Sequence, residues 1–281
     1  MGKIIDVQQI YDSLKKELKD KASKMSSMSI ASLKIGQDYA MEVYMSSQEK
    51  LAKELGINFV LVDFLKDTSA DKIIKKINEL NEDNGISGII VNKPFPEGIL
   101  EDTIFSAISP KKDIEGANPL NLGVLFYKDS IFIPPTVLSV LLVIEYLDID
   151  LYGKEVTIVG FSSLIGMPLS IILGRRFATL RITHIGTYDK DRLLTHVKNA
   201  DVLISAVGKP YIIKGEWIKE KAVVIDVGIG KKDGKVCGDV EFGEAKDRAS
   251  FITPVPGGIG LLTTLCLFGN LIKAAQEHKQ I

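Results

Sequence analysis

The run Glu155-Val156-Thr157-Ile158-Val159-Gly160-Phe161-Ser162-Ser163-Leu164-Ile165-Gly166-Met167-Pro168 has the residue types of an anion site. A β-branched strand ends in glycine, a small polar loop follows, and an apolar helix starts with proline in its first turn. Free N–H groups and the helix dipole at such a start favour a diphosphate. The spacing is G-x-S-x-x-x-G-x-P rather than G-x-G-x-x-G. The loop alone therefore leaves two readings open, a dinucleotide site or a tight β–α turn without a ligand. Ser205-Ala206-Val207-Gly208-Lys209-Pro210 and Ile225-Asp226-Val227-Gly228-Ile229-Gly230 also put glycine at the C-terminal end of an apolar strand. Open α/β sheets bind ligands at that edge, where glycine lets a ribose or nicotinamide approach the backbone. Near the C-terminus, Ile252-Thr253-Pro254-Val255-Pro256-Gly257-Gly258-Ile259-Gly260 holds two prolines and three glycines. It reads either as a loop bringing main chain close to a flat ligand or as a tight turn into the last helix.

The elements that must hold these loops follow from periodicity. Val7, Ile10, Tyr11, Leu14 and Leu18 recur at helical spacing and predict a helix over roughly 6–20. Strands are expected at 28–35, 57–64 and 86–91, with helices at 38–55, 70–82 and up to about 108. Asp38 is the expected N-cap of the 38–55 helix and Gly56 its stop. Asn92-Lys93-Pro94-Phe95-Pro96 ends the third strand, since proline cannot continue a central ladder. Residues 110–135 are rich in turns, and 136–147 form an apolar helix able to join two domains. A second series has strands near 156–160, 181–185, 201–207 and 223–227, with helices between the early ones, and a last helix over 261–277. This alternation predicts an α/β fold with parallel sheets covered by helices.

Composition excludes several classes. Lys+Arg 35 against Asp+Glu 36 gives a formal charge of −1, so no overall field favours nucleic acid or an anionic membrane. No apolar run approaches the roughly 18 residues that span a bilayer, and the N-terminus lacks a signal-peptide core. Cys237 and Cys266 are too few for a disulfide framework, and with three histidines in the chain no metal site is expected. A cytoplasmic protein without metal is the expectation.

Taken together and in order, Gly160…Gly166-x-Pro168, Ala206-Val207-Gly208-Lys209-Pro210, Val224-Ile225-Asp226-Val227-Gly228-Ile229 and Thr253-Pro254-Val255-Pro256-Gly257-Gly258 resemble one family. It is the bifunctional methylenetetrahydrofolate dehydrogenase/methenyltetrahydrofolate cyclohydrolase (FolD) family, and the resemblance covers nearly the full chain. It implies a folate-binding catalytic domain over 1–135 plus 265–281 and a Rossmann-like doubly wound NAD(P) domain over 136–264, with a cleft between them. It implies a homodimer that oxidises 5,10-methylenetetrahydrofolate with NADP and hydrolyses the methenyl product to 10-formyltetrahydrofolate. Gly160, Phe161, Ser162, Gly166, Pro168, His184, Val207, Gly208, Asp226, Gly228 and Ile229 would then hold the cofactor. Pro256, Gly257 and Gly258 would wall the junction of folate and nicotinamide. Tyr44 would stack on or orient the folate, with Asn92 and Glu115 also touching it.

The chain departs from the family pattern where the reaction occurs. The family places Tyr-x-x-x-Lys on the second helix, Gln after the third strand and Asp-x-Asp near the domain junction. Here Tyr44 is followed by Gln48, Asn92 stands at the Gln position, and Asp113-Ile114-Glu115 ends in the longer acid. Gln48 still shares a face with Tyr44 at i, i+4, and Lys50 and Lys93 point to other faces. A Gln amide does not titrate near neutral pH, so dehydrogenation is expected to persist and cyclohydrolysis to be weak or lost. A Glu115 carboxylate could stabilise the methenyl cation. Phe161 and Ile185 replace residues that recognise the 2′-phosphate, so NADP is the family default and NAD remains possible. Arg181 either reaches the pocket or lies in solvent. The rival readings are a dehydrogenase of this scaffold acting on a modified pterin and a catalytically silent dinucleotide-binding subunit.

Overall fold

The computed structural model describes residues 2–25, 27–128 and 132–277. In chain order the first elements are β1 (Lys3–Ile4), α1 (Val7–Ala22), β2 (Ser29–Ile35), α2 (Tyr39–Leu55), β3 (Asn58–Phe64), α3 (Ala70–Glu82), β4 (Gly88–Val91), α4 (Glu101–Ala107), α5 (Pro119–Val124) and α6 (Pro135–Tyr146). There follow β5 (Glu155–Val159), α7 (Gly166–Arg175), β6 (Thr179–Thr183), α8 (Ile185–Asp189), α9 (Leu193–Val197), β7 (Val202–Ser205), β8 (Val223–Asp226), β9 (Gly230–Lys232), β10 (Lys235–Cys237), α10 (Phe242–Arg248), β11 (Phe251–Ile252) and α11 (Ile259–Glu277). They form two compact units. One holds Ser13–Pro135 and the chain from Thr264 onward; the other holds the chain up to Asp12 and Thr136–Thr263.

The unit built on Ser13–Pro135 has a parallel three-stranded sheet in the order β3-β2-β4. Ile30, Ala31 and Leu33 of β2 and Ile89, Ile90 and Val91 of β4 are buried, the continuous apolar run of strands covered on both faces. The edge strand β3 alternates between exposed and half-buried positions. Helix α2 keeps its register through its ends. Asp38 accepts a hydrogen bond from the Met41 N–H at 2.9 Å, and Gly56 closes the helix in the left-handed region at φ 69°. These caps orient the face that carries Tyr44 and Gln48.

The other unit carries a six-stranded sheet, β1-β11-β8-β7-β5-β6, with every pairing parallel. This corrects the placement of the first twelve residues with the folate domain. Strand β1 pairs with β11, Lys3 opposite Phe251 and Ile4 opposite Ile252, and the Ile5 N–H donates to the Ile252 carbonyl at 3.0 Å. The antiparallel hairpin β9–β10 and the short helices α5 and α10 also lie outside the predicted elements, while α7, α8 and α9 fall between β5, β6 and β7, where helices are expected.

Helix α11 corrects a second expectation. By length and composition it could cross a membrane, but 67% of its apolar window is buried inside the fold. Its buried Asn270 donates to the carbonyls of Ile114 at 2.8 Å and Ile133 at 2.9 Å.

Candidate functional site

The three side chains Ser32, Gln48 and Asn92 close a hydrogen-bonded ring. Ser32 Oγ donates to Gln48 Oε1 at 2.9 Å. Gln48 Nε2 donates to Asn92 Oδ1 at 2.8 Å. Asn92 Nδ2 returns to Ser32 Oγ at 2.8 Å and also donates to the Leu33 carbonyl at 2.9 Å. All three residues are buried, so each satisfied group avoids the roughly 1–3 kcal/mol cost of an orphaned one. The ring is electrically neutral. Tyr44, one turn before Gln48, is half-buried. Its phenol lies far above the ordinary tyrosine range, chiefly through burial and then through Glu115 and Cys266, with a hydrogen bond from Gln48 acting in the opposite direction. Tyr44 therefore remains a neutral hydroxyl at any working pH.

The acid pair 113–115 divides its labour. Asp113 is buried and accepts from the backbone N–H of Ala117 at 3.1 Å, from that of Asn118 at 2.8 Å and from Asn121 Nδ2 at 2.8 Å. It holds the turn. Glu115 is pushed up to about 8, first by burial and then by the negative charge of Asp113, with Lys93 pulling it back down. It is therefore largely protonated at neutral pH, not the standing carboxylate expected from the sequence. Lys93 pairs with Glu101 at 2.8 Å on the surface, and Lys50 is exposed; neither joins the ring.

In the dinucleotide unit, β5 runs into Gly160 at φ 110°. A Cβ on Gly160 would stand 2.5 Å from the Ala206 carbonyl oxygen, and one on Gly166 would overlap the Gly160 carbonyl. Only glycine lets the loop pass between β5 and β7 and α7 start against it. No side chain caps α7, which suits its first turn to an anion. Beside this loop is a cavity of about 250 Å³ whose lining includes Gly160, Phe161, Ser162, His184, Ile185, Tyr188, Val207 and Lys209. His184 caps α8: its Nδ1 accepts from the Gly186 N–H at 3.2 Å. Gly166 and Pro168 are buried in the start of α7 and do not line the cavity. Ile229 is exposed, 62% of its surface remaining accessible, beside buried Gly228 and exposed Gly208. Arg181 pairs with Glu155 at 2.7 Å across β5 and β6; it does not line the cavity.

Asp226 does not present itself as a cofactor ligand, contrary to expectation. Its oxygens accept from the backbone N–H groups of Gly228 at 3.0 Å, Asp239 at 3.2 Å and Val240 at 2.9 Å. Burial and then Asp239 push it up to about 7 against those bonds. Asp239, which sequence reasoning missed, accepts from Ser205 Oγ at 2.8 Å, the Val207 N–H at 2.7 Å and the Lys209 N–H at 2.8 Å. The two acids together fix the loops after β7 and β8. In the Pro-Gly segment, Thr253 Oγ1 accepts from the Asp226 N–H at 2.8 Å, the Val255–Pro256 peptide is cis, and Pro256 and Gly257 are exposed while Gly258 is buried. The segment is thus a tight turn into α11 that leaves Pro256 and Gly257 at the surface of its unit.

A parallel sheet with glycine-lined loops at the C-terminal ends of its strands, and a separate α/β unit with a buried polar cluster, define a dinucleotide-dependent enzyme scaffold. Residues 5–115 match the family model for the tetrahydrofolate dehydrogenase/cyclohydrolase catalytic domain, and residues 134–279 that for the NAD(P)-binding domain. The chain belongs to the tetrahydrofolate dehydrogenase/cyclohydrolase family. It is 39% identical to the bifunctional protein FolD of Clostridium botulinum over 284 residues, covering 99% of this chain and 100% of the relative. The FolD structure from Campylobacter jejuni superposes with a TM-score of 0.92 at 33% identity, covering 99% of both chains. That of Trypanosoma brucei, complexed with NADP and an inhibitor, gives 0.94 at 27%, covering 100% of this chain and 99% of that one.

Proposed function

We propose that this chain oxidises 5,10-methylenetetrahydrofolate with NADP and hydrolyses the methenyl product weakly or not at all. The closed Ser32–Gln48–Asn92 ring carries this reading. NADP accepts the hydride when bound, and Gly160, Phe161, Ser162, His184 and Val207 suit it, being backbone-accessible or flat around one cavity. On the folate side, Tyr44 orients the ring system as a neutral donor. Glu115 faces the developing cation. An ionised carboxylate ~4 Å from a positive charge attracts it by roughly 4 kcal/mol at an effective dielectric near 20. The formation of that cation favours ionisation of Glu115 from its raised starting point. Hydrolysis of the methenyl group needs a residue that exchanges a proton near neutral pH while water attacks. Gln48 occupies the place for such a group, and its amide is held at both ends by neutral partners.

In a single reaction followed for both products, methenyltetrahydrofolate is expected to accumulate in step with NADPH. Appearance of 10-formyltetrahydrofolate at the rate of NADPH formation would overturn the monofunctional reading. No turnover of the methylene substrate with either cofactor would overturn the dehydrogenase reading itself.

The working form is inferred to be a cytoplasmic homodimer. Strand β3 is an edge strand with Leu61 52% exposed, a surface that a second copy can cover. Cys237 and Cys266 are buried thiols outside any disulfide, which suits a reducing compartment. A single monomeric species in sedimentation at micromolar concentration would contradict the dimer.

A further inference from the structure

We propose that Lys209 selects a dinucleotide carrying a 2′-phosphate by contacting that phosphate. The inference rests on the dinucleotide reading of the cavity at the ends of β5, β6 and β7. In a sheet of this kind the end of the strand next to the glycine loop meets the adenosine ribose. An acid there binds the 2′-hydroxyl of NAD, and a cation there binds the 2′-phosphate of NADP. The corresponding strand here, β6, ends at Thr183 and runs through His184 into Ile185 at the start of α8. Among the described residues no Asp or Glu lines the cavity, and Lys209 brings an amine cation to its wall.

Two further observations place that cation. Lys209 Nζ stands over the Tyr188 ring, 4.6 Å from its centroid, and Tyr188 lines the same cavity. A cation over an aromatic face keeps a flexible four-carbon chain in place. The backbone of Lys209 is fixed in turn by its N–H bond to buried Asp239 at 2.8 Å. His184, the neighbouring polar residue, has Nδ1 engaged by the Gly186 N–H, which leaves Nε2 as its remaining polar atom. A lysine is a point charge without the two-pronged geometry of arginine. It gives discrimination of moderate size, weakened by salt.

The test is calorimetric binding of 2′,5′-ADP and 5′-AMP to the purified chain, without substrate. The wild type is expected to bind 2′,5′-ADP about tenfold more tightly than 5′-AMP, a difference of about 1.4 kcal/mol. Lys209→Met is expected to remove most of that difference, and Lys209→Arg to keep it. Equal affinity for the two ligands in the wild type would overturn the proposal. Equal weakening of both by Lys209→Met would overturn it as well. Failure of the methylene substrate to turn over would strike the proposed reaction and leave this binding difference intact.

Discussion

The two units bury polar groups in opposite ways. Around Gln48, neutral side chains close on one another: Ser32, Gln48 and Asn92 satisfy each other and leave no titrating group. Around Asp226 and Asp239, two acids close on backbone N–H groups and hold the loops that frame the cofactor cavity. In the proposed function, the first arrangement limits the chemistry. In the proposed function, the second shapes the loops on which the cofactor would lie. A loop needs only fixed geometry, which a buried acid with several N–H donors supplies. A proton-transfer step needs a group whose charge can change, and the ring contains none.

The largest effect is expected at Asp239. Asp239→Ala leaves the Val207 and Lys209 N–H groups and the Ser205 hydroxyl without their acceptor. A loss of about 3 kcal/mol in chemical denaturation is expected, together with weaker dinucleotide binding. A loss below about 1 kcal/mol would show that the loops hold themselves.

Glu115→Gln comes next. In the proposed reaction the active form is the carboxylate, so wild-type dehydrogenase kcat/KM should climb as pH rises through about 8. The variant should be about tenfold slower at high pH, with a flat profile. Stability runs in the reverse sense. The folded state holds the Glu115 proton between its ordinary value of 4.5 and about 8, so stability falls as pH rises across that window, and Glu115→Gln removes part of the fall. A wild-type rate independent of pH from 6 to 9 would contradict this role.

Gln48→Lys puts a titrating amine into the neutral ring. Methenyl hydrolysis should rise about tenfold, with a stability cost of about 1–3 kcal/mol for burying a charge-bearing group. No gain in a folded variant would locate the lost step elsewhere. Ser32→Ala is the mildest change, expected to cost about 1–2 kcal/mol: it removes two of the ring's three bonds, but Asn92 Nδ2 keeps the Leu33 carbonyl. Dehydrogenase activity should remain within about threefold of wild type.

The sequence made some of this legible and hid the rest for physical reasons. Helix α2 could be bounded because Asp38 and Gly56 act locally, within one turn of the ends they set. The glycine loops at Gly160 and Gly208 could be found because backbone approach demands that residue. Ser32 could not, since a mid-strand serine carries no local signal and acquires its role only from Gln48 and Asn92, 16 and 60 residues away. Asp239 was hidden likewise: it follows the β9–β10 hairpin and acts on a loop some thirty residues earlier, at Val207 and Lys209. The first residues were misplaced because β1 is two residues long, too short for any period. Glu115 could be singled out by its place in the Asp113-Ile114-Glu115 run, but its protonation depends on burial and on the charge of Asp113, which spacing does not reveal.

The most direct measurement is the decay of 5,10-methenyltetrahydrofolate with and without the purified wild-type enzyme, in a buffer where spontaneous hydrolysis is slow. The same preparation must first be shown to reduce NADP with the methylene substrate. Decay within about twofold of the buffer rate is predicted, because the ring at Gln48 offers no group to exchange a proton. Enzyme-dependent hydrolysis at a rate comparable with dehydrogenation would show that a proton is carried without that lysine, and would contradict it.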